Sequence, residues 1–155
     1  MRKAVVTSFV TVGLAVTFVI CVQPPRTVKP GPAAMQIEYM QSFFYALDGY
    51  VTFDPVGGFP DNLRVLGPSA SALFMNTEIL DRGQLNGYRF EYKHGAPDSF
   101  GRVSTYTLRA RPLQYKTTGT SSLLMDESGM IHWTDENRDA TTDDAIYYYS
   151  SVRVF

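Results

Sequence analysis

Cysteine, histidine and tryptophan are scarce in this chain of 155 residues, which has one, two and one of them. The single thiol, Cys21, lies in an apolar run near the start, so the rest of the chain has no disulfide to lean on. The 122 residues after Ala33 are enough to build a self-supporting core. Zinc is not expected, because a site takes about four Cys, His or carboxylate ligands and two histidines with no further thiol make a poor supply. No serine stands in a Gly-x-Ser-x-Gly elbow. Basic charge is missing where a nucleic acid would need it. Residues 34–155 carry ten basic side chains against fifteen acidic ones, with no basic stripe to neutralise phosphates.

All the charge in residues 1–33 is basic. Arg2 and Lys3 precede an uncharged run from Ala4 to Val22, long enough at 1.5 Å per residue to cross a hydrocarbon core of roughly 30 Å. An uncleaved signal anchor fits the length and flanking charges, and the positive-inside bias then places everything after Val22 across the membrane. Lipidation at Cys21 is a second reading, although Ile20 stands where a lipobox wants a small residue. A cleaved signal peptide is a third, and no small residues at −3 and −1 before Gln23 support it. All three export the remainder. The expected organisation is therefore an anchor or signal peptide at 1–22, a linker at 23–32 with four prolines in ten residues, and a globular domain at 33–155.

From Ala33, Ile37, Met40, Phe44, Leu47 and Val51 recur at three- and four-residue steps, the period of a helix with one apolar face. Tyr39, Phe43, Ala46 and Tyr50 widen that face, and Glu38, Gln41, Ser42 and Asp48 lie opposite. No basic residue occurs from Gly31 to Asn62, which argues for a core helix over an interfacial membrane helix. Residues 54–87 read as loop, with short helical turns at 61–66 and about 76–82 and Gly83 as a C-cap. Beyond Gly87 the period drops to two. "GYRFEYKHG" and "RVSTYTLRARP" alternate, "TSSLLM" and "MIHWT" are two shorter strands, and "AIYYYSSVRVF" has strand composition without a clean period. The expected class is α+β: a long N-terminal helix packed on one face of an antiparallel β-meander, preceded by a membrane anchor segment.

The order "GGFPDNLRVLG" (57–67), "NGYRFEY" (86–92), "STYTLRARPLQYKTTGTSSLLMDESGMIHWT" (104–134) and "NRDATTDDA" (137–145) resembles the globular domain of bacterial type IV pilin-like and pseudopilin-like proteins. The resemblance spans roughly 37–145. It implies a structural or protein-interaction role, beside a type IV pilus or a type II secretion-like apparatus, at a bacterial inner membrane with the domain in the periplasm or outside the cell. The chain lacks the prepilin start of that family and has prolines where its continuous helix would run, so tethering is expected in place of polymerisation by the same mechanism.

Three places could carry chemistry. "TDENRDATTDD" (134–144) offers Asp135, Glu136, Asp139, Asp143 and Asp144 to calcium, but without the alternating ligands and central glycine of an EF-hand-type loop. It reads first as a solvated acidic loop. His94 sits at a strand end entering a turn, and His132 alternates with Ile131 and Trp133 and so faces away from them. Asp126-Glu127-Ser128-Gly129 separates two strands and reads as a turn, with Gly129 at a positive φ. No catalytic, metal or cofactor residues are assigned, and the protein is expected to be non-enzymatic. The alternative is a periplasmic or surface lipoprotein that binds a ligand or calcium through 134–149. "YYY" (147–149) is the best sequence candidate for a contact surface, because alternation prevents all three from facing inward.

Overall fold

The computed structural model describes residues 33–53, 55–67 and 77–147. Its frame is a six-stranded antiparallel sheet in sequential order: β1 (Gln84–Leu85), β2 (Tyr88–His94), β3 (Tyr106–Pro112), β4 (Ser122–Asp126), β5 (Ile131–Thr134) and β6 (Ala145–Ile146). The longest ladder joins β2 to β3 from Tyr88↔Pro112 to His94↔Tyr106. β4 then pairs with β3 through Thr107↔Asp126 to Ala110↔Leu123, and with β5 through Ser122↔Thr134 to Met125↔Ile131.

Because side chains alternate along each strand, this register sorts the sheet into two faces. Tyr88, Phe90, Leu108, Ala110, Leu123, Met125 and Ile131 fall on one face and are buried. Helix α1 (Ala34–Phe53) adds Ile37, Met40, Phe43, Ala46 and Leu47 to the same core. Phe43 is fully buried whereas Phe44 is half-buried, so the helix's inner line runs one residue away from the expected Met40–Phe44–Leu47 line. Full burial of side chains such as Phe43 or Leu47 stabilises the fold by about 1.5–3 kcal/mol each.

The expected architecture needs correction in its organising element. The expected class places a long N-terminal helix on one face of the meander as its main support, preceded by a membrane anchor segment and a proline-rich linker. The six-stranded sheet organises the chain instead, α1 supplies one row of the core, and among the described residues no helix is long and apolar enough to cross a membrane. The physical reason is pairing. Five successive antiparallel ladders satisfy backbone groups along the C-terminal half, while α1 satisfies only its own. The expected anchor at 1–22, with Cys21, and the linker at 23–32 lie outside the described residues, as do Tyr148 and Tyr149.

Shorter elements follow local chemistry. A 3-10 turn (Leu63–Leu66) is capped by Asn62, whose side chain accepts from the Arg64 amide at 3.0 Å. Helix α2 (Thr77–Arg82) closes on Gly83, whose N–H donates to Ile79 O at 2.8 Å. β1 was not anticipated. It forms because Asn86 and Gly87 take φ of 48° and 78°, the left-handed pair that a two-residue hairpin needs.

Candidate functional site

The sheet's second face is where the acidic loop lies. His132 and Leu124 pair across β4 and β5, point away from α1, and are nevertheless buried. His132 Nδ1 lies 3.1 Å from the Asp144 carbonyl; since a carbonyl only accepts, Nδ1 carries the proton. Ala140, within the same loop, is buried as well.

Inside this loop the carboxylates are matched with the chain's own donors. Arg138 binds Asp144 through both terminal nitrogens, at 2.7 and 2.5 Å, and donates its Nε to Glu136 at 2.6 Å. Asp144 also accepts from the Thr141 amide at 2.8 Å and from the Thr141 hydroxyl. The Arg138 bond, followed by that amide, holds the Asp144 carboxyl well below the usual carboxylate range, and the Arg138 guanidinium is stabilised in its charged form by the same contact. Asp139 accepts from Arg111 on β3 at 2.7 Å, and Asp135 from the Ser121 hydroxyl. Four of the five expected oxygen donors thus have side-chain partners within the fold, and the segment works as a clasp from β6 back to β3. No group of three or more metal-ligating side chains gathers among the described residues.

The Asp126–Gly129 segment is a hairpin turn joining β4 to β5. The Gly129 amide donates to Asp126 O at 3.0 Å, the Asp126 carboxylate accepts from the Ser128 amide at 3.0 Å, and Gly129 has φ 74°. Glu127 turns its carboxylate to the Tyr106 amide, at 3.4 Å.

This turn sits against α1. Gly129 faces the Phe44 ring, and Phe44 packs edge-on against Tyr45 with ring centroids 5.6 Å apart. Tyr45 is 72 % exposed and Met130, the residue after Gly129, 48 %. Tyr45 and Phe44 thus leave an aromatic pair at the solvent side of α1, beside the hairpin turn. Tyr147 begins the expected aromatic tail, and it is partly buried against the core, with its amide donating to Ile131 O at 2.7 Å.

A second junction lies beneath the Gly57-Gly58-Phe59-Pro60 loop. Phe59 donates its amide to Val103 O at 2.8 Å and places its ring 4.7 Å from that of Tyr106. Tyr92 donates its hydroxyl to Pro60 O at 2.8 Å, whereas the buried Tyr106 hydroxyl has no hydrogen-bond partner among the described residues. Burial pushes both tyrosines well above the ordinary phenol value.

The structure keeps the two histidines apart in role. His94 is exposed, with Nδ1 on the Gly95 carbonyl at 2.8 Å, and His132 is held under the clasp. Two features escaped the sequence reading although each left a signal. Arg138 was visible as a base inside an acidic run, and Tyr45 as an aromatic one step outside the helix's apolar arc. No protein-family model, curated protein or solved structure matches this chain.

Proposed function

We propose that this protein is a non-enzymatic interaction domain, held at a bacterial inner membrane by its N-terminal segment and presented to the periplasm or the cell exterior. The observation that carries the reading is the aromatic pair on α1, where the exposed ring of Tyr45 stands edge-on against the half-buried ring of Phe44. Single exposed apolar residues are ordinary, but an exposed tyrosine set edge-on against a half-buried phenylalanine makes a surface that gains free energy when covered. Aromatic residues are also among the types enriched at the centres of protein interfaces. The motif order across residues 57–145, similar to that of pseudopilin-like proteins, suggests pilus or secretion components as the partners. Calcium capture by the acidic loop has less support, because Arg138 and Arg111 already occupy its carboxylates.

Photo-crosslinking in intact membranes tests this. A benzoylphenylalanine at position 45 should give discrete protein adducts that are missing when the probe stands at Glu78, an exposed site on α2. Identical or absent adducts at the two positions would sink the proposal.

A further inference from the structure

The open half of the second sheet face, over β2 and β3, carries a different chemistry. Arg89, Glu91 and Lys93 project from β2, and Thr107, Arg109 and Arg111 from β3, with Arg89↔Arg111 and Glu91↔Arg109 as direct cross-strand partners. Two of the cations are satisfied internally. Arg111 binds Asp139, and Lys93 takes the Glu91 carboxylate at 2.9 Å, although register places Glu91 opposite Arg109. Arg89 and Arg109 are left with no carboxylate in ion-pair reach among the described residues. Arg89 is exposed. Arg109 is half-buried beside Leu124, and its Nε is buried with no hydrogen-bond partner. That Nε is closed to solvent, so an acceptor from outside would meet Arg109 at its terminal nitrogens.

We infer that Arg89 and Arg109 form a binding site for an acidic, extended segment of a partner protein with carboxylates at alternate positions. Spacing argues for this. The two arginines are diagonal neighbours on adjacent strands, about 7 Å apart at Cα. Alternate side chains of an extended peptide point the same way and are about 6.7 Å apart, so two carboxylates can meet two guanidinium forks, each bidentately. Charge argues against an anionic membrane as the occupant. Asp139, bound to Arg111, and the Asp144 segment over His132 lie on this same side of the sheet, and a lipid surface would press against them. A narrow peptide lying along β2 and β3 avoids them. The site is on the face opposite α1 and does not depend on the Tyr45 surface.

Fluorescence anisotropy of labelled peptides against the full chain in non-ionic detergent tests the inference. The probe is Gly-Glu-Ser-Glu-Ser-Glu-Gly, and a peptide with its three glutamates contiguous is the comparison. The alternating peptide should bind more tightly, lose affinity as salt rises, and weaken at least tenfold with Arg89→Glu, an exposed substitution that leaves the core intact. Arg64→Glu, on the 3-10 turn, and Tyr45→Glu should leave it unchanged. No binding of the alternating peptide, indifference to Arg89→Glu, equal loss with Arg64→Glu, or Arg89-dependent binding to phosphatidylglycerol vesicles without peptide binding would each overturn the assignment.

Discussion

Phe44 and Gly129 meet with no room for a side chain between them: a Cβ on Gly129 would lie 2.7 Å from Phe44 Cε2. The helix and the β4–β5 turn are therefore fitted to each other through a missing atom. The same glycine has φ 74°, so two independent constraints select it.

Gly129→Val should destabilise the domain by about 2–4 kcal/mol, combining left-handed strain with overpacking. Gly101→Ala is the control. Gly101 has φ 82° but nothing within 4 Å of an added Cβ, so only the backbone term of about 1–2 kcal/mol applies. Urea unfolding of the two variants separates the contributions, and equal losses would remove Phe44 from the explanation.

Glu127→Gln should change stability by less than about 0.5 kcal/mol. The bond to the Tyr106 amide is long at 3.4 Å, and a glutamine carbonyl accepts it as a carboxylate does. A larger loss in thermal melting would mean that the charge itself matters at this turn.

The clasp predicts an acid-side transition. Asp144 is depressed in the folded state, so the stability it contributes is present above the unfolded carboxylate value of roughly 4 and is lost as pH falls through its lower folded value. Asp144→Asn should therefore melt lower at neutral pH and show a flatter decline between about pH 4 and 2. Arg138→Lys should weaken the clasp too, because an ammonium cannot reproduce the two parallel bonds to Asp144.

Tyr92 and Tyr106 should respond oppositely to loss of their hydroxyls. Tyr92→Phe gives up the bond to Pro60 O and should cost about 1 kcal/mol, loosening the Gly57–Pro60 loop. Tyr106→Phe removes a buried hydroxyl without a partner and should be neutral or stabilising. Both phenols are raised in the folded state. Their contribution is fully present below the unfolded value of about 10 and is lost as pH rises beyond it, so wild-type stability should fall in the alkaline range. Replacing both tyrosines should flatten that fall, as read by urea unfolding across alkaline pH.

Much of the sheet was legible because period-two alternation is a local signal. The runs 87–95 and 102–112 alternate and so expose a face before any tertiary contact exists, whereas 120–125 and 130–134 are legible as short strands flanking a turn. Asn86-Gly87 carries a comparable hairpin signal, but it closes the stretch 54–87 that reads as loop, and β1 is the strand that reading misses. Gly129 was also readable, as the positive-φ residue that closes a short turn.

Other features depended on distance. Helical spacing allowed either Phe43 or Phe44 to lead the buried row, and only the position of the sheet chose Phe43. Composition made 134–144 an acidic, hydratable loop, but it could not say that Arg111, more than twenty residues earlier, would reach Asp139, nor that Arg138 would fold back on Asp144. Side-chain chemistry and local period determined the strands, the turns and the apolar helix. Which side chains neutralise one another, which aromatic is left at the surface, and which element organises the molecule depend on residues far apart in sequence, so only the tertiary structure decided them.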